Sequence, residues 1–330
     1  MVQFILSFHN NHSMEIWIEK HRPEKIEDIG GQAEAVRILK GFISSGEMPH
    51  LIFAGPPGVG KTTAALCMAK EMIGENWRDH FLELNASNDR GINIIREDIK
   101  DFARTQAITE GKFKIVFLDE ADELTPEAQA ALRRTMEVYF RNVRFIFSCN
   151  YSSGIIPPIQ SRAVVIRFGR IESDDMKQIL KKIIASEKMN LNEEIIDAIA
   201  ENASGDMRKG LNILQSLYYV ENPETRDVYE IAGNVEEKKL VPLLSNSRHG
   251  NYDEASSIAM DLLINGGYSA IDIVKGLHTL IIKERSPIIL KRESIIALSD
   301  VETRLVQGGS DKIQLDYLVA RLCKIYTENS

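Results

Sequence analysis

The run Gly55-Pro56-Pro57-Gly58-Val59-Gly60-Lys61-Thr62-Thr63 constrains this chain more than any other stretch. It satisfies the phosphate-cradling pattern G-x-x-x-x-G-K-S/T at every fixed position. Ahead of it, residues 50–54 read as a short buried strand; after it, residues 63–72 read as a helix rich in Ala, Leu and Met. A strand, a glycine-rich turn and a helix N-terminus together make an anion site. Backbone N–H groups converge there, and the helix dipole adds partial positive charge. Glycine lets the backbone approach a phosphate with no Cβ in between. In this pattern Lys61 reaches the β- and γ-phosphates and Thr62 holds Mg²⁺.

Four more strand-like runs follow, at 80–84, 113–118, 143–148 and 163–168. Most are nearly continuous apolar runs, as expected of parallel strands covered on both faces. Helical stretches separate them. That alternation predicts an open, doubly wound α/β sheet with its ligand at the carboxyl ends of the strands.

The run Lys114-Ile-Val-Phe-Leu-Asp-Glu-Ala-Asp122 is the second chemical feature. It puts Asp119 and Glu120 at the end of a strand, beside the phosphate loop. Asp119 suits Mg²⁺ binding through water, and Glu120 suits activation of an attacking water. The strand over 143–149 ends at Asn150. That residue either orients the same water or contacts the γ-phosphate, or it serves as a turn asparagine, which Asn does well. Arg162 falls in a loop before a strand. The run Ala203-Ser-Gly-Asp-Met-Arg-Lys-Gly-Leu211 reads as a turn, a cap and a new helix with Arg208 in its first turn. A cation there opposes the helix dipole, which favours a specific task for Arg208 over a place on the surface. Arginine suits γ-phosphate stabilisation because its guanidinium stays charged and binds in a bidentate way; the alternative for Arg162 and Arg208 alike is a surface salt bridge.

On the helix expected from about residue 92, Arg96, Lys100 and Arg104 form one basic stripe at i, i+4 and i+8. Two readings stand open: contact with nucleic-acid phosphates, or intrahelical pairing with Glu97, Asp98 and Asp101. Pro126 starts a strong helix carrying Arg133 and Arg134, which suit an interface, a nucleotide relay or plain surface charge. From Ile171 onward no strand is expected. A small helical domain leads through a linker at 221–225 into a second helical region, with breaks at 246–250, 265–267, 286–287 and 308–309.

The 330-residue chain carries a net charge of −8, which excludes a uniformly basic surface but leaves local basic patches. Its three cysteines, Cys67, Cys149 and Cys323, are scattered without metal-ligand spacing. That argues against a disulfide framework or zinc site and fits a reducing cytoplasm. No segment resembles a membrane span. The apolar start, Met1 to Phe8, lacks a basic flank and is too short to cross a bilayer. Residues 1–13 read as a mis-called or disordered extension, with Met14 the expected start.

The phosphate loop, Leu118-Asp-Glu-Ala-Asp122, Asn150 and Arg208 together resemble an AAA+ ATPase. Ile16-Trp-Ile-Glu-Lys-His-Arg-Pro23, Glu83-Leu-Asn-Ala-Ser-Asn-Asp-Arg-Gly91, Ala131-Leu-Arg-Arg-Thr-Met-Glu137 and Pro158-Ile-Gln-Ser-Arg162 narrow this to the small subunits of replication factor C, archaeal type. The resemblance implies an AAA+ α/β domain with a parallel five-stranded sheet at 14–170. A helical lid at 171–228 and an all-helical collar at 229–330 would follow. It implies ATP and Mg²⁺ as cofactors. The implied partners are a distinct large subunit, further small subunits, a sliding clamp of the proliferating-cell-nuclear-antigen type and primer–template DNA. Residues 55–63 and Arg208 would then bind nucleotide. Asp119, Glu120 and Asn150 would act in hydrolysis, joined in trans by Arg162 as an arginine finger. Arg90, Arg96 and Lys100 would follow the DNA backbone. Three positions depart from the family pattern: Ala163 where cysteine is usual, His21 where tyrosine is common, and Asn88 where aspartate is common. None carries chemistry that this reaction needs. Another AAA+ machine, such as a branch-migration motor or an origin initiator, is the competing reading. An initiator should carry a basic helix-turn-helix, and 228–330 has no clear one.

Overall fold

The computed structural model describes residues 16–86, 92–104 and 113–328. The expected extension at 1–13 lies outside the described residues, and so does Arg90. The chain divides into two compact units, Met1–Tyr218 and Tyr219–Ser330.

Among the described residues, the first unit begins with the short helix α1 (Trp17–Lys20) and α2 (Ala33–Ser45). Strands and helices then alternate as β1 (His50–Ala54), α3 (Lys61–Ile73), β2 (Phe81–Asn85) and α4 (Ile92–Arg104). After these come β3 (Lys114–Asp119), α5 (Pro126–Tyr139), β4 (Val143–Cys149), α6 (Pro157–Gln160) and β5 (Ala163–Arg167). The five strands form one parallel sheet in the order β2-β3-β4-β1-β5.

Burial on both faces explains the continuous apolar runs of the central strands. Leu51, Phe53, Phe117 and Ile146 pack with Ala64, Ala65 and Met68 of α3 and with Leu39 of α2. On the other face, Ile52, Val116, Leu118 and Phe147 pack with Ile99 of α4 and with Leu132 and Met136 of α5. Each fully buried phenylalanine here contributes about 1.5–3 kcal/mol relative to an exposed one. The edge strands differ from expectation: β2 and β5 are only partly buried, because each has a neighbour on one side alone.

The strand order positions the site. From β1 the chain crosses to the far edge at β2, returns through β3 and β4, then passes β1 to reach β5. The carboxyl end of β4 therefore lies between those of β3 and β1. Three helices complete the unit: α7 (Ser173–Ser186), α8 (Glu193–Ala203) and α9 (Met207–Leu217). Asn192 caps α8 by accepting from the Ile195 N–H at 2.9 Å.

The second unit is helical throughout its described residues. It comprises α10 (Thr225–Ala232), α11 (Glu237–Arg248), α12 (Tyr252–Ile264), α13 (Ala270–Lys283), α14 (Ile288–Val306) and α15 (Asp311–Glu328). Its core gathers Leu243, Ile273, Leu277, Val301, Leu318 and Leu322. The helices break near the four expected places, and also at 233–236, between α10 and α11, where no break is expected.

Candidate active site

The phosphate loop is held by backbone contacts that only glycine permits. Gly55 N–H donates to the Cys149 carbonyl at 3.1 Å. A Cβ on Gly55 would come within 2.1 Å of the Phe168 carbonyl oxygen. Gly58 and Gly60 adopt φ of 70° and 99°. The turn at Gly60 lets α3 begin at Lys61, two residues before the periodicity suggests, so Lys61 and Thr62 sit in its first turn. The Lys61 ammonium donates to the carbonyls of Gly55 at 2.6 Å and Pro56 at 2.8 Å. Burial lowers its pKa below the ordinary lysine value, and the nearby carboxylates of Asp119 and Asp122 oppose that shift.

Asp119 ends β3 and joins two neighbours. Its Oδ2 accepts from the Thr62 hydroxyl at 3.1 Å, and its Oδ1 accepts from the Glu120 N–H at 3.0 Å. Glu120 adopts φ 54° and turns the chain into a short 3₁₀ segment, Ala121–Glu123. From that segment, Asp122 Oδ2 accepts from the Asn150 N–H at 2.9 Å. The ends of β3 and β4 are tied together in this way. Burial, reinforced by Asp122, pushes the Cys149 thiol up to about 11, so it stays protonated and is no nucleophile.

One cavity of about 420 Å³ brings most of the expected residues together. That volume is ordinary for a small-molecule site. The loop residues 57–63, Asp119, Glu120, Asn150 and Arg208 line it. Arg208 reaches it from the first turn of α9, whose N-cap Asp206 accepts from the Lys209 N–H at 3.1 Å. The Met207 N–H donates to the Gly58 carbonyl at 2.9 Å, which fastens α9 directly to the phosphate loop. A Cβ on Gly58 would lie 1.7 Å from Asp206 Oδ1, so this approach also requires glycine.

Other expected residues stand apart from the cavity. Arg162 follows α6 and is not among the lining residues. Its guanidinium pairs with Glu137 at 2.9 Å and donates to the Pro158 carbonyl at 2.8 Å. Arg133 bonds the same carboxylate at 3.0 Å. Lys100 is half-buried and Arg104 exposed on α4, whose backbone also carries Arg96.

Taken by themselves, the residues of 14–49 mark no site, yet Ile18, His21 and Pro23 line the cavity. His21 Nε2 and Lys20 Nζ meet Glu187 at 2.6 and 2.7 Å, and the Trp17 N–H donates to Gln215 Oε1 at 3.1 Å. These partners lie far along the chain, so no local pattern announces them. Glu83 on β2 also lines the cavity, and burial together with the charge of Asp119 raises its carboxyl pKa.

Three family models match the chain. The AAA family (ATPase family associated with various cellular activities) matches 51–170, the RCF1/5-like AAA+ ATPase lid domain matches 178–219, and the replication factor C C-terminal domain matches 235–321. The replication factor C small subunit of Picrophilus torridus is 47% identical over 96% of this chain and 99% of its own length. That of Archaeoglobus fulgidus is 43% identical over 94% of this chain and 98% of its own. Among solved structures, the Holliday-junction branch-migration motor RuvB of Thermotoga maritima superposes with a TM-score of 0.54 at 17% identity. It covers 68% of this chain and 78% of that one, a likeness of fold alone. With the phosphate loop, the strand-end carboxylates and Arg208 around one cavity, and with relatives matched over nearly their whole length, the chain belongs to the replication factor C small subunits of the AAA+ ATPases.

Proposed function

We propose that this chain is the ATP-hydrolysing small subunit of a clamp loader. In this reading it acts with a large subunit and further small subunits to open a ring-shaped sliding clamp and place it on primer–template DNA. Residues 14–170 are the motor domain, 171–228 the lid and 229–330 the collar through which subunits assemble. The observation that carries the reading is a division of labour. Lys61, Thr62, Asp119, Glu120, Asn150 and Arg208 have a place at one cavity, while Arg162 stands outside it.

The residues present fit a nucleoside triphosphate with Mg²⁺. The loop has no Cβ where Asp206 approaches, the Thr62 hydroxyl lies against the Asp119 carboxylate, and the buried Ser148 hydroxyl has no partner. Thr62 and Asp119 would hold the metal, Asp119 through water. Bound there, Mg²⁺ supplies charge neutralisation at the phosphates. Lys61 exchanges its two loop carbonyls for phosphate oxygens. Glu120 accepts the proton of the attacking water and Asn150 orients that water. Arg208 reads the γ-phosphate from the lid side. Arg162 completes the site of a neighbouring subunit, so an isolated chain should turn over slowly. Arg90, Arg96 and Lys100 offer a local basic track for the duplex backbone, which reconciles DNA binding with an acidic protein.

Steady-state ATP turnover of the co-purified small and large subunits tests the proposal. It is measured alone, with sliding clamp, with primed DNA and with both, beside an Arg162→Ala version. Strong stimulation by clamp plus primed DNA, lost in the variant, is the expected result. Stimulation by DNA with indifference to the clamp would point to another AAA+ machine, such as a branch-migration motor.

A further inference from the structure

Ser148 has no task in the mechanism above. The residue is 1% exposed, and its hydroxyl has no hydrogen-bond partner. A buried hydroxyl left unpaired is costly, and alanine would fill the same space without that cost.

Its position gives the reason. On β4 Ser148 pairs laterally with Phe53 of β1. The β3–β4 register runs through Leu118 and Phe147, so one step further Asp119 stands beside Ser148 on the other side. Laterally paired residues share a face of the sheet, and Phe53 faces α3. Asp119 meets the Thr62 hydroxyl at the start of that same helix. Ser148 also lines the cavity together with Lys61, Thr62 and Asp119. A hydroxyl thus sits in the cavity floor between the start of α3 and a carboxylate, with a direct hydrogen bond to neither. Polar groups so arranged are commonly joined through water. Mg²⁺ bound by few protein groups keeps several waters, and those waters are strong donors in need of fixed acceptors.

We infer that Ser148 is a positioning residue for the hydrated cation. Its hydroxyl oxygen accepts a hydrogen bond from a water of the Mg²⁺ shell that Thr62 and Asp119 anchor, and so orients that shell. The inference rests on the nucleotide-site reading above and adds a residue to it.

The test uses Ser148→Ala and Thr62→Ala in the full chain, with two readouts besides turnover. One is the thermal midpoint in EDTA without nucleotide. The other is calorimetric affinity for ATPγS, with Mg²⁺ and with EDTA. For Ser148→Ala the midpoint should be unchanged or higher, since an unpaired buried hydroxyl is removed. Affinity in EDTA should match the wild type, while the gain on adding Mg²⁺ should shrink about three- to tenfold. A full Mg²⁺-dependent gain in Ser148→Ala, or a lowered midpoint, overturns the inference. If the wild type itself gains nothing from Mg²⁺, or Thr62→Ala keeps the whole gain, the metal reading of the site fails with it.

Discussion

Glu120 is the residue at which backbone and chemistry meet. Its φ of 54° lies in the left-handed region, which costs a non-glycine residue about 1–3 kcal/mol. Packing around the turn keeps it there: Ala121 is fully buried and Asp119 holds the Glu120 N–H. The bend directs the chain so that Asp122 can take the Asn150 N–H, linking the turn after β3 to the neighbouring strand end. Glutamine has the same shape and the same backbone cost. Glu120→Gln should therefore leave nucleotide affinity near wild type while lowering kcat by about 10²–10⁴-fold, the usual worth of a general base. Paired measurements of ATP affinity and turnover check this. Unchanged turnover would move the protein into the class of non-catalytic nucleotide-binding scaffolds. The pair Asp119-Glu120 was legible from the end of an apolar run. The left-handed turn at a glutamate was not, because φ there is set by packing rather than by propensity.

Helix α9 illustrates the next scale. Asp206 caps it, and its second residue, Arg208, faces the cavity although a cation in a first turn opposes the helix dipole. The approach of Gly58 to Asp206, together with the Met207 N–H bond to the Gly58 carbonyl, makes the start of α9 part of the phosphate loop's support. Asp206→Ala should lower stability by about 1 kcal/mol, the common value of a lost N-cap. It should also weaken ATP binding beyond what a remote cap would, because Arg208 and the loop lose a shared anchor. Chemical denaturation and ATP titration separate the two effects. Normal affinity in the destabilised variant would reduce Asp206 to a cap and nothing more. The cap and the helix start were readable in Ala203 to Leu211. The loop contact joins residues far apart in the chain and was not.

At the scale of the whole molecule, the two units have separate hydrophobic cores. Phe53, Phe117 and their neighbours serve the first, and Leu277, Leu318 and Leu322 serve the second. A chain ending after Tyr218 should fold, bind ATP and elute as a monomer, while the full chain should assemble with the proposed large subunit. Light scattering coupled to size exclusion, with ATP titration of the same sample, tests this. Assembly of the truncated chain would remove the collar role from 229–330. The first unit alone should also turn over slowly, because its own Arg162 is bound to Glu137 outside the cavity.

The sequence by itself determined the phosphate loop, the strand-end carboxylates, the alternation of strands and helices and the helical remainder. Each is a local pattern, written in glycine placement, apolar runs and turn residues. It also carried strings that resemble the family, a membership that relatives matched over nearly the full chain bear out. Only the tertiary structure decided that β4 runs between β3 and β1, which sets Ser148 and Asn150 between the carboxylates and the loop. It also decided that Ile18, His21 and Pro23 wall the cavity, that Glu187 takes His21 and Lys20, and that Arg162 stands outside. These are contacts between distant segments. They follow from how the sheet is ordered and which faces are buried, and no short stretch of sequence encodes either.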